Sequence, residues 1–468
     1  MAYLLEILQF SVLPIGVLYL LLRRLWGDTS AKEYFFAAKM FVLLSMAVSV
    51  WNRNYIFPTC FTADVLTTIA YVLTSSAFLV WLLLALKWFT TEKLPAFRFC
   101  SSTLLLLFCF NLLLYTVRLD IMVAALAGLA MLQYLFLRFS QENEEFHNIS
   151  GRYGLSVLFF ILLALIAVLI LYPQGLSYAT AAEQISQMPA NMLFLTAIGL
   201  LLIFVFMLGI APLHFWNSDV SGLAVLPVAA YFAFVPHIAL WVGFIKINML
   251  LFAPLAENLQ NIYLTFGLIS MLIGAFGANT SRNMRRIFSF AGLLNLGIML
   301  ILIAPFKAEN VAASMGYVQI YTLVMAGIYT VLFAFKRNGE YLANLNTLSG
   351  VARNKSFLAA ALLFFMLTLM LISPLPMFFA IWNTLNYLAL NEQYLIMAAV
   401  MLAIIIILPA FMQIFRTVFF APAAIGIDRT EPIIYILIML NILLCLSIVF
   451  YPEVLFNEAL WLISGVKI

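Results

Sequence analysis

Apolar runs of roughly 17–25 residues recur from one end of this chain to the other, each long enough as a helix to cross about 30 Å of hydrocarbon. Barrel strands would instead alternate in short segments of roughly ten residues. The runs lie at 3–22, 35–51, 67–87, 100–117, 120–138, 153–172, 191–216, 226–248, 260–278, 286–305, 312–336, 356–390, 394–417 and 432–451. They predict an all-α polytopic membrane protein of about 14 transmembrane helices. Composition agrees: hydrophobic residues make up 66% of the 468, charged residues 9%, and mean hydropathy is +1.11. A soluble domain carries roughly a quarter charged residues.

Lysine and arginine fall unevenly between the two sides that alternating spans define. Connections after odd-numbered spans hold 17, among them Arg23, Arg24, Lys32, Lys87, Lys93, Arg98, Arg285 and Arg286. The opposite side holds five (Arg53, Arg118, Lys246, Lys307 and Lys467), and Lys39 sits inside span 2. This bias places the odd-numbered connections on the cytoplasmic or matrix side and both termini outside. Residues 3–22 run straight into Arg23 and Arg24, as in a retained helix rather than a cleaved signal.

Proline interrupts two spans. Span 7 contains Gly209 and Pro212, and span 12 contains Pro374 and Pro376. A proline inside a helix removes a donor and clashes with the preceding turn, so the freed carbonyls need other partners in lipid. The breaks are five spans apart, as they would be in two inverted five-helix repeats, helices 4–8 and 9–13. The expected organisation is therefore 1–98 (helices 1–3), 99–250 (first repeat), 251–420 (second repeat) and 421–468 (helix 14). Paired broken helices of this kind mark ion paths in transporters, although kinks are also common in membrane helices without that meaning.

Few ionisable residues lie at membrane depth: Lys39, His214, Asp219, His237 and Lys246. Such residues are costly in lipid and are candidates for function. His237 falls near the middle of span 8, and His214 and Asp219 flank the end of span 7. Histidine is able to pass a proton near neutral pH, but an intramembrane imidazole is equally suited to bridging helices as a neutral group. For Lys39 and Lys246, reaching back toward the nearer interface is the expected behaviour. The four cysteines stand apart without metal-ligand spacing, and no glycine-rich phosphate loop, catalytic triad or haem and iron–sulfur pattern occurs. Basic residues are scattered singly, which argues against a nucleic-acid partner.

Residues 212–239 carry the most specific pattern in the chain. Pro212-Leu213-His214-Phe215-Trp216-Asn217-Ser218-Asp219-Val220 is followed by Pro227-Val228, Ala230 and Val235-Pro236-His237-Ile238-Ala239. This resembles, without a gap, the signature of antiporter-like membrane subunits of respiratory complex I, and the last segment is most similar to subunit N of the bacterial enzyme (subunit 2 of the mitochondrial one). Asn283-Met284-Arg285-Arg286-Ile287-Phe288-Ser289-Phe290 with Gly297, Arg353-Asn354-Lys355, and Ser373-Pro374-Leu375-Pro376 resemble further family motifs.

The resemblance implies a membrane-arm subunit of a proton-translocating NADH:quinone oxidoreductase, packed among other membrane-arm subunits and lipid. NADH, flavin, iron–sulfur clusters and quinone would then be held in or with partner chains, with no cofactor in this one. It also implies a chain of mid-membrane charges, and here the sequence departs from the family. The helix 5 glutamate position falls at or near Ala127, with no acidic residue between Asp120 and Glu142. The helix 7 lysine position is Met207, the helix 8 lysine is His237, and the helix 12 lysine lands on Thr384 beside Asn383. A histidine many members carry after the Arg-Arg pair is Asn295. Proton-path candidates are thus His237, His214 and Asp219, with Thr384, Asn383 and Asn295 as polar replacements. An alternative of another class is a subunit of a multi-subunit cation/proton antiporter, although those normally keep the glutamate and lysines.

Overall fold

The computed structural model describes residues 2–27, 30–53, 55–56, 60–91, 96–138, 144–172, 176–422 and 426–452. Lys93, Glu142 and Lys467 lie outside the described residues, as does the side chain of Lys87.

The chain is an all-α polytopic membrane protein. Among the described residues, twelve helices or helix pairs continuous in the chain are long and apolar enough to cross a membrane, and thirteen if the bent pair Leu345–Asn354 and Ser356–Leu369 is one span, against the expected 14 or so. The first six are α1 (Ala2–Trp26), α2 (Ala31–Trp51), α3 (Val65–Thr91), α4 (Ala96–Tyr115), α5 (Leu119–Arg138) and α6 (Glu144–Leu171). A short helix, α7 (Tyr178–Gln187), follows in a connection, started by Ser177, whose hydroxyl accepts from the Thr180 amide at 3.2 Å. Span 7 becomes α8 (Ala190–Leu208), a break, a single 3-10 turn at His214–Trp216 and α9 (Asn217–Leu223). Then come α10 (Leu226–Phe234), α11 (His237–Leu250), α12 (Ala256–Thr280), α13 (Met284–Ile303) and α14 (Ala308–Ala334). A one-turn helix, α15 (Val351–Asn354), precedes α16 (Ser356–Leu369) and α17 (Pro376–Leu390), which share span 12. The last two are α18 (Tyr394–Phe420) and α19 (Pro432–Phe450).

Helix ends agree with the apolar runs to within a few residues except at span 6, which begins at Glu144 rather than 153. The polar residues 144–150 continue the same helix beyond the apolar stretch, so hydropathy alone misses them. Span 8 also differs from the continuous helix expected of it. It is interrupted at Val235-Pro236, because Pro236 has no N–H to donate to the preceding turn.

Among the described residues the chain divides into two compact units, the first built on 1–207 with 238–255 and the second on 208–237 with 256–452. In the first, α1, α2 and α4 are tied by amides: Asn52 donates to Leu5 O at 3.2 Å and to Gln9 Oε1 at 3.3 Å, and Asn111 donates to Gln9 O at 3.2 Å. On α6, Leu155, Leu158, Phe159, Leu162, Ile166 and Leu169 are exposed, an apolar face suited to lipid or to another membrane chain.

Lys246 does not reach toward water as expected from sequence. It is buried and donates to the carbonyls of Leu114 at 2.6 Å and Thr116 at 3.1 Å. The last carbonyls of α4 lack helical partners and carry partial negative charge, and an ammonium satisfies both needs. In the second unit, α12 and α13 approach through glycine. A Cβ on Gly297 would stand 2.6 Å from Gly267 O, and one on Gly274 would stand 2.6 Å from Phe290 O. Small residues let membrane helices pack backbone to backbone in this way.

Candidate functional site

The break after α8 is made by Gly209, at φ 70°, and by Pro212, which follows a cis peptide bond. A Cβ at Gly209 would meet Asn217 Nδ2 at 2.8 Å, so both the left-handed backbone and the space call for glycine. The turn delivers His214, Trp216 and Asp219 into the 3-10 turn and α9.

Two arginines of α13 hold this element in place. Arg285 donates to Gly222 O at 2.8 Å and to Ala224 O at 2.6 Å, where α9 ends. Asn283 adds a third donor, to Gly222 O at 3.2 Å. Its neighbour Arg286 forms an ion pair with Asp219 at 3.3 Å, and a Cβ on Gly222 would collide with the Arg286 side chain. Two motifs more than sixty residues apart in sequence therefore form one assembly. A guanidinium suits it because its fork of donors reaches two carbonyls from one side chain.

His237 begins α11 and is 4% exposed. Its ring stands edge-on to Tyr321 of α14, centroids 5.2 Å apart, and its Nδ1 has no hydrogen-bond partner among the described residues. No ion pair or hydrogen bond joins it to Asp219 or His214. Asp219 is engaged by Arg286, and the buried Nδ1 of His214 is likewise unpartnered. The three proton-path candidates are thus not brought into one hydrogen-bonded set.

Of the polar positions that the resemblance sets against family charges, Thr384 and Asn295 are hydrogen-bonded within the fold. Thr384 is fully buried and its hydroxyl donates to Ala380 O, one turn back on its own helix, at 3.3 Å. Asn295 donates to Ala291 O at 2.8 Å and accepts from the Tyr317 hydroxyl at 3.0 Å. Met207 is buried as an ordinary apolar side chain near the end of α8, Asn383 is half-buried on α17, and Ala127 is half-buried on α5. A charged relay needs groups that exchange protons along a line, whereas Met207 and Ala127 are apolar, Thr384 and Asn295 have hydrogen bonds committed to neighbours in the fold, and Asn383 carries an amide that does not ionise.

Sequence reasoning missed Tyr317 and Tyr321. They lie one turn apart on α14, and tyrosines in an apolar run give no signal until folding sets them against Asn295 and His237. Arg285 was visible as a motif match, but its carbonyl partners were not. Among the described residues, no group of three His, Cys, Asp or Glu side chains gathers to hold a metal.

Comparison with known proteins places the chain. Residues 118–406 match the family model described as NADH:quinone oxidoreductase/Mrp antiporter, transmembrane. NADH-quinone oxidoreductase subunit N of Rhodospirillum rubrum is 30% identical over 331 residues, covering 68% of this chain and 64% of the relative. The subunit N of Beijerinckia indica is 24% identical over 423 residues, 88% of this chain and 86% of the relative. In fold, a chain of respiratory complex I from Thermus thermophilus superposes with a TM-score of 0.81 at 17% identity, covering 96% of this chain and 98% of that one. A chain of the Mrp complex from Dietzia sp. gives 0.84 at 16% identity, covering 99% and 97%.

Proposed function

The chain belongs to the NADH:quinone oxidoreductase/Mrp antiporter transmembrane family, and from that premise we propose that it is a subunit N-type component of the membrane arm of NADH:quinone oxidoreductase. It sits in an energy-coupling membrane, bacterial or mitochondrial, among other membrane-arm subunits. Both termini lie on the periplasmic or intermembrane side, in line with the 17-to-5 lysine and arginine asymmetry. The chain carries no redox chemistry of its own. NADH, flavin, iron–sulfur clusters and quinone belong to its partners.

Its contribution is structural rather than proton-conducting. One observation carries this reading: Arg285 and Arg286 hold the element after the α8 break, while the charges that the resemblance implies beside it are missing. Arg285 and Arg286 clamp α9, yet Met207, Thr384 and Asn295 occupy positions where the resemblance implies ionisable groups. An isolated charge without its partners is unfavourable in lipid, so losing one favours losing the others. His237 is the remaining ionisable member, and among the described residues its Nδ1 has no hydrogen-bond partner.

The two inverted five-helix repeats are part of the proposal. In support, each break has a left-handed residue three positions before a proline: Gly209 at φ 70° before Pro212, and Leu371 at φ 63° before Pro374.

The antiporter reading shares the family and the fold, but it would call for the glutamate and lysines that this chain lacks. Purifying the epitope-tagged chain in mild detergent separates the two. Co-purification of the other complex I membrane subunits with NADH:quinone activity is expected, and cation/proton antiporter subunits without NADH oxidation would overturn the assignment.

A further inference from the structure

Lys39 takes no part in the site above. It sits on α2 eight residues after the helix begins, half-buried, and Lys32 lies in the first turn of the same helix. Together with Arg23 of α1 they line a cleft of about 440 Å³, whose apolar lining includes Leu20 and Leu86. Three cations share this cleft with one carboxylate, Glu33, which already receives Arg23 Nη2 at 2.9 Å and the Ser30 hydroxyl at 3.0 Å. Among the described residues no carboxylate pairs with Lys32 or Lys39.

Side chains on a helix lean toward its N-terminus, and a lysine near a membrane helix end carries its ammonium toward the interface. Lys39 is therefore directed to the level of Lys32 and Arg23, where like charges collect. At the N-terminus of α2, Ser30 gives its hydroxyl to the Glu33 carboxylate and makes no side-chain bond to a backbone N–H, so the positive end of the helix lies beside Lys32 in the first turn. Basic pockets at this depth on the lysine-rich side of a membrane suit anionic headgroups.

We propose that this cleft between α1, α2 and α3 binds a phosphate-bearing anion, with the phosphate held by Lys39 and Lys32. Leu20 and Leu86 provide the apolar surface that the glycerol and upper acyl chain of an anionic phospholipid would cover. Free inorganic phosphate shares the anionic chemistry but would leave that surface unused.

The test uses the purified native complex in nanodiscs of phosphatidylcholine doped with a photoactivatable phosphatidylglycerol, with crosslinks mapped by mass spectrometry. Labelling within residues 19–39 should exceed that from a photoactivatable phosphatidylcholine. It should fall about fivefold in Lys39→Met, the loss expected for one basic residue at a membrane surface, and persist in Lys39→Arg. Lys32→Gln should show a similar fall, which guards against a failure of assembly in Lys39→Met. Competition by unlabelled phosphatidylglycerol but not by inorganic phosphate identifies the lipid, whereas competition by both identifies a phosphate site open to the free ion. Equal labelling by the two lipids, or labelling unchanged in both lysine variants, overturns the proposal.

Discussion

Arg285 holds the carbonyl of Gly222 at 2.8 Å, joining the start of α13 to the end of α9 and so fixing the element that follows the α8 break. With Ala224 O on its other terminal nitrogen at 2.6 Å, one side chain satisfies two carbonyls that helix geometry leaves open. Replacing it with alanine strands both. Hydrogen bonds to charged groups contribute about 1.5–3 kcal/mol, so Arg285→Ala should lower the thermal stability of the subunit by at least that amount. Arg285→Lys should recover only part of it, since an ammonium lacks the fork. Retention of the subunit in the solubilised complex across a temperature series measures both.

Gly297 is set against Gly267 O with no room for a side chain. The atom in the way is backbone and is unable to swing aside, so Gly297→Ala should separate α12 from α13 and cost about 1–3 kcal/mol. The same temperature series should show it, whereas alanine at Gly151, inside α6 where a Cβ would meet nothing within 4 Å, should not destabilise and should gain about 0.5–1 kcal/mol.

Lys246 is a helix cap and not a transport group in this account. Lys246→Met keeps the stem but leaves Leu114 O and Thr116 O without their donor, which should destabilise the chain by about 1.5–3 kcal/mol. Assembled complex carrying it should still move the normal number of protons per NADH. A lowered ratio in fully assembled complex would show that Lys246 transports.

Asn295 and Tyr317 test whether the lost histidine position has become structural. Asn295→Leu and Tyr317→Phe each leave a buried partner unsatisfied, at about 1–3 kcal/mol apiece. The double variant should cost less than the two together by roughly 0.5–3 kcal/mol, because it removes both ends of one bond. Additive losses would mean that the bond contributes nothing.

The spans were legible because lipid demands long apolar runs, and His237 was legible because an ungapped motif surrounds it. The break at Val235-Pro236 was written in the proline but was hidden inside an otherwise unbroken apolar run. The role of Lys246 was not legible at all. Its acceptor Leu114 lies 132 residues away, and only packing of α11 against α4 reveals that a cation is needed there. Arg285 stood between these cases, since its motif was plain in the sequence while the carbonyls it serves were not. Tyr321 was invisible because an aromatic residue in a membrane helix is ordinary until a histidine faces it. Local rules therefore reached the helices and the motif residues, and long-range pairing supplied what those residues do.

The central claim is that the chain supports the membrane arm without conducting protons through His237. The most direct measurement is the number of protons moved per NADH oxidised by the whole complex, reconstituted in vesicles with His237→Ala. The account predicts a ratio equal to that of the unmodified complex at unchanged NADH oxidation. A reduced ratio in fully assembled complex would contradict it and make His237 a proton carrier.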